Sequence, residues 1–89
     1  HNSRPEDTDI SFLYGLTLCQ LEQYEPAVKL LKSVTEKTDH ADAEYNLGLA
    51  VYMKNEDVQS AREHFRKAAA IQPDHHLAHH ALKKFEELE

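Results

Sequence analysis

The stretch AEYNLGLAVYMKNEDVQSAREHFRKAAAIQPDHH, Ala43–His76, decides the fold. Its apolar residues fall at Tyr45, Leu47, Gly48, Val51 and Tyr52, then at Val58, Ala61, Phe65, Ala68, Ala69 and Ile71. Steps of three and four residues place each set on one side of a helix. KNED separates the two helices, with Asn55 or Asp57 available as a cap, and the second helix stops before Pro73.

Working outward, LYGLTLCQLEQYEPAVKLLKSVTEKTDH, Leu13–His40, keeps nearly the same time. A first helix carries Ile10, Leu13, Tyr14, Leu18 and Leu21, with Asp7, Thr8 or Asp9 as candidate caps. Pro26 fits the first turn of a second helix, where its missing amide hydrogen loses little. That helix carries Ala27, Leu30, Leu31 and Val34, and KTDHAD breaks it. Beyond Pro73, Asp74 is the expected cap of a fifth helix with Leu77, Ala78, Ala81, Leu82, Phe85 and Leu88 on one face. No segment alternates with period two over a useful length, so no strand is expected.

Laid over the fourth helix, the second shows an internal repeat. Tyr24 falls on Val58, Ala27 on Ala61, Leu31 on Phe65, Val34 on Ala68 and Asp39 on Pro73, each at an offset of 34 residues. Gly15 to Gly48 is an offset of 33, so the second unit holds one extra residue in its MKNED turn. Two helices in a period of 34 residues form a recognised repeat signature. The sequence resembles the tetratricopeptide repeat family at Asn46, Leu47, Gly48, Ala61, Phe65, Ala68 and Pro73, and at Gly15, Tyr24, Ala27, Leu31 and Val34.

The resemblance implies an all-α fold, a fragment of a right-handed α-solenoid built from helical hairpins. Repeat one would span about residues 8–40, repeat two about 41–74, and a capping helix about 75–89, in a single domain of residues 8–89 after a flexible segment 1–7. Departures are visible. Ser11 and Glu44 stand where the family often has a large aromatic, Asp39 replaces a terminal proline, and Lys83 sits where Gly48 would recur. Lysine there obstructs a close-packed further helix, which favours a solvated cap or a third repeat cut short.

By the same resemblance, the first helix of each unit lines a concave groove. Its residues would include Phe12, Leu13, Leu16 and Cys19 from one unit and Tyr45, Asn46, Leu49, Tyr52 and Met53 from the other, with Asp9, Gln20 and Asp42 beside them. This lining suits a peptide or amphipathic helix. Family members that clamp acidic chaperone tails use cations and asparagine here. Phe12, Leu16, Tyr45 and Leu49 occupy most of those places and only Asn46 fits, so that ligand is disfavoured. The expected function is a protein-interaction module or scaffold segment. The alternatives are a structural or self-assembling segment of a longer array, and metal-linked assembly.

Composition agrees with a small helical domain. The chain has 89 residues, 40% hydrophobic and 29% charged, with two glycines and three prolines. A formal net charge of −6, with no run of Lys or Arg, argues against nucleic acid as a partner. No apolar stretch is long enough to insert in a membrane. Cys19 is the one cysteine, which precludes an internal disulfide and favours a reducing compartment. The opening HNSRPEDTD lacks an initiator methionine and reads as the start of a fragment, with His1 as a tag remnant.

DHHLAHH sets His75 and His79, and likewise His76 and His80, one helical turn apart. Such pairs can chelate a transition metal through imidazole nitrogens, with Asp74 the nearest further ligand. The plainer reading is four solvated histidines on a capping helix, since two surface ligands without a third bind weakly. His40 is expected on a turn and His64 on the convex side. No phosphate-binding loop or nucleophile elbow is present, and a lone Cys19 on a helix face reads as apolar filler. No enzyme activity and no cofactor are therefore expected.

Overall fold

A computed structural model describes residues 5–87 of the chain, with side-chain burial from Thr8 onward. Five helices follow in order: α1 (Pro5–Gln20), α2 (Tyr24–Lys37), α3 (Ala41–Asn55), α4 (Val58–Ile71) and α5 (His76–Glu86). No strand occurs among the described residues. Helix α1 starts ahead of its expected caps, so Asp7, Thr8 and Asp9 lie inside it. Leu88, expected on the apolar face of α5, lies outside the described residues, as do positions 1–4.

Each helix packs mainly on its neighbours in chain order, and α1 also touches α3. The molecule measures 45 × 28 × 17 Å with a radius of gyration of 12.6 Å, compact for its length. The core forms around α3. On one side Ala43 and Leu47 meet Leu31 and Val34 of α2, with Phe12, Cys19 and Val51 packed against them. On the other, Tyr45, Leu49 and Tyr52 pack on Phe65 of α4 and on Ala81 and Phe85 of α5. The rings of Phe65 and Phe85 meet edge to face at 5.0 Å between centroids, and Tyr52 meets Phe85 likewise at 4.9 Å.

Both glycines serve helix contacts. A Cβ on Gly15 would lie 2.7 Å from Leu31 Cδ2, and one on Gly48 2.8 Å from Phe65 Cε1 and 3.0 Å from the Ala61 carbonyl oxygen. The residue pairs that the repeat equates thus make the same contact twice: a bulky side chain of the second helix fills the gap left by glycine on the first. Left-handed backbone, which glycine normally supplies, falls instead on Glu22 (φ 61°) and Glu56 (φ 56°). At the end of α1 the Gln23 amide donates to the Leu18 carbonyl and the Glu22 amide to that of Cys19, a Schellman closure. After α3 a single bond of 2.6 Å runs from the Glu56 amide to the Tyr52 carbonyl.

Helix starts are capped unevenly. Asp57 Oδ1 accepts from the Ser60 amide at 3.1 Å, as expected for α4. The cap of α5 is His75 rather than Asp74: its Nδ1 accepts from the Ala78 amide at 3.0 Å. His40 caps α3 in the same way, its Nδ1 accepting from the Ala43 amide at 3.1 Å. Each capping ring also lies against an aromatic ring of an earlier helix. Phe12 stands 4.4 Å from His40 and Tyr45 stands 5.5 Å from His75, between centroids.

Candidate functional site

The residues expected to line one groove divide into two groups. Phe12, Cys19, Tyr45, Leu49 and Tyr52 are half-buried and pack into the clusters on either side of α3. Tyr45 rests between the rings of Phe65 and His75. Burial pushes the Cys19 thiol and the Tyr45 phenol upward, because each charged form would lose hydration. Leu16 and Asn46 are also half-buried, and the Asn46 amide donates to the Asp42 carbonyl one turn back, 2.8 Å away. Leu13 and Met53 alone of the nine are open, at 59% and 55% exposure. Five of the nine expected lining residues thus contribute to packing between helices while keeping part of their surface open.

Most of the open apolar surface lies on α1 and the turn that follows it. Ile10, Leu13, Tyr14 and Leu21 are all about 60% exposed, although their spacing reads as a buried stripe. Among the α1 residues with described burial, Thr8 onward, the buried ones are Gly15 and Leu18, which face α2. Beside Tyr14 lies a cleft of about 370 Å³ lined by Tyr14, Leu18, Gln23, Pro26, Lys29 and Leu30. In the sequence, Leu18, Pro26 and Leu30 read as packing or turn residues. The signal for the cleft was available: α1 carries apolar residues on all sides, and such a helix needs cover on all sides.

The histidine cluster does not act as one group. His75 is 5% exposed, with Nδ1 taken by the Ala78 amide and Nε2–H donated to Asp42 Oδ1 at 2.7 Å. This corrects its placement as a solvated residue and removes it as a metal partner of His79. The His79 Nε2–H donates to the Pro73 carbonyl at 2.7 Å. His76 and His80 are exposed. Among the described residues, no group of three or more His, Cys, Asp or Glu is placed to hold a metal ion. Leu77, expected on the buried face of α5, is 57% exposed.

His64, given no role by sequence, bonds Glu44 at 3.0 Å from Nδ1 to Oε1 and ties α4 to α3. Glu44 is 8% exposed, so the place read as a missing aromatic holds a buried carboxylate with a partner. No described helix is long and apolar enough to cross a membrane. No protein-family model matches the sequence, and no curated protein matches it.

Proposed function

We propose that this chain is a tetratricopeptide-like protein-interaction module, a scaffold segment that binds a peptide or amphipathic helix through apolar side chains of α1. The observation that carries the reading is the half-covered state of α1, with Ile10 and Tyr14 exposed on the helix, Leu21 exposed just past its end, and an apolar cleft beside Tyr14. Contiguous exposed apolar surface of this kind marks interaction sites. The repeated contacts of Gly15 with Leu31 and of Gly48 with Phe65 support the family reading. Rigid, already packed helices present the anchors with little reorganisation on binding.

The test is selection of binders from a library of displayed helical peptides, followed by binding to two double variants. Tyr14→Glu/Leu21→Glu charges the outer side of α1 and the turn after it, whereas Leu13→Glu/Met53→Glu charges the two open positions of the expected groove. All four positions are exposed, so circular dichroism should show both variants folded. Loss of binding in the first variant alone supports the α1 surface; loss in the second alone moves the site to the groove. Failure to select any binder, or binding unchanged in both, overturns the reading. The same exposed residues on and just after α1 favour a second reading, self-assembly, which predicts a concentration-dependent mass that Tyr14→Glu/Leu21→Glu abolishes.

A further inference from the structure

We propose that His76 and His80 form half of a zinc site on α5, which a second copy of this chain completes. Hydrogen bonding separates these two residues from the rest of the cluster. His75 uses both ring nitrogens inside the fold, and His79 directs Nε2 to the Pro73 carbonyl. His76 and His80 remain exposed and lie on the same helix, which runs from His76 to Glu86. Positions four apart on a helix bring their Cβ atoms to about 5–6 Å, a span that two imidazole nitrogens can close on one ion.

Two ligands do not satisfy zinc, which prefers four in a tetrahedral set. Within one chain no third ligand is placed, as no group of three is found among the described residues. The same pair from a second copy supplies the missing two and gives four neutral imidazoles. A twofold axis through the ion then sets the two α5 helices face to face, an isologous contact. Leu77 is 57% exposed and adjoins the pair, so an apolar contact lies next to the metal. Each chain carries a formal net charge of −6, and a dication between two copies offsets part of their repulsion. Lys83 and Lys84 lie one turn beyond His80, and an antiparallel crossing puts the two lysine pairs on opposite sides of the ion. This surface is separate from the outer side of α1, so the inference does not depend on the proposed function.

The test titrates zinc chloride into the metal-free chain, with calorimetry for stoichiometry and sedimentation velocity for mass. The expected result is one ion per two chains, a doubling of mass, and reversal by EDTA. His76→Ala and His80→Ala should each abolish both signals. His79→Ala should keep them, which separates this pair from a general effect of histidine number. Both key residues are exposed, and circular dichroism of each variant confirms folding before titration. Absence of heat and of any mass change overturns the proposal. So does zinc uptake that survives in His76→Ala/His80→Ala, because the ion then binds elsewhere, His1 included. One ion per chain with no change in mass overturns the bridging by a second copy.

Discussion

Helix α3 has neighbours on both sides, and helix α1 has them on one. The two are equivalent by the repeat: Gly15 matches Gly48, and Tyr14 matches Leu47, at the same offset of 33 residues. Both carry apolar residues round their circumference. Leu47 is 1% exposed, packed on Leu31 and Val34 of the preceding helix α2, whereas Tyr14 has no preceding helix among the described residues and is 59% exposed. Burial here follows from a helix's place in the order of packing, since nearly the same pattern ends in the core once and at the surface once. An apolar pattern states what a helix can bury; its neighbours decide what is buried.

Paired substitutions sharpen that contrast, and the largest effect is expected at the matched positions. Leu47→Ala should cost about 3 kcal/mol through lost transfer energy and a residual cavity. Tyr14→Ala should stay within about 0.5 kcal/mol, as surface substitutions do. Urea unfolding of both variants measures the difference. A large cost at Tyr14 would break the comparison, because it would mean that the outer side of α1 is covered in solution.

The glycines give the next effect. Gly48→Ala drives a methyl against the Phe65 ring and the Ala61 backbone, and both are held in the interior. It should destabilise by about 2 kcal/mol, after the roughly 1 kcal/mol that alanine gains over glycine in a helix. Gly15→Ala meets the Leu31 side chain first, which is as buried as Phe65, but no backbone atom is among its nearest neighbours and α1 can shift outward on its uncovered side. Its net cost should be under about 1 kcal/mol. Equal losses would show that α1 is held as firmly as α3.

The smallest effect concerns pH. Burial raises the Cys19 thiol on α1 and the Tyr45 phenol on α3. The unfolded chain therefore loses these protons first, and the folded state binds more protons in the alkaline range. This contribution is fully present below the unfolded values and is lost as pH rises through the folded ones. Cys19→Ser should flatten the lower part of the decline and leave the upper part, since thiols ionise before phenols. Denaturation midpoints across alkaline pH check this, and a flat profile for the unsubstituted chain would refute it.

Much of the architecture was legible in the sequence. Spacings of three and four residues marked out the five helices, and the matched offsets singled out Gly15, Gly48, Leu31 and Phe65, although which of them touch emerges only from the fold. What stayed hidden depended on contacts across the chain. Asp74 satisfies the usual chemistry of a cap better than histidine, yet His75 holds the position because its Nε2–H also reaches Asp42 on another helix. Glu44 looked like a gap in the apolar pattern until His64, 20 positions on, supplied its partner. The candidate site was the least legible part. Nothing local distinguishes Tyr52, drawn into the Phe65–Phe85 cluster, from Met53, which points away at 55% exposure.

The histidine caps have a consequence for tolerance. A serine or aspartate cap fixes where its own helix begins and refers to nothing else. His40 and His75 fix that point with Nδ1 and also rest a ring face on Phe12 and Tyr45, which belong to the helix two places earlier. The start of α3 is thereby gauged from α1, and the start of α5 from α3. Each of these two helix starts is therefore tied to a helix outside its own hairpin connection, so its phase is set by two references and not by the preceding turn alone.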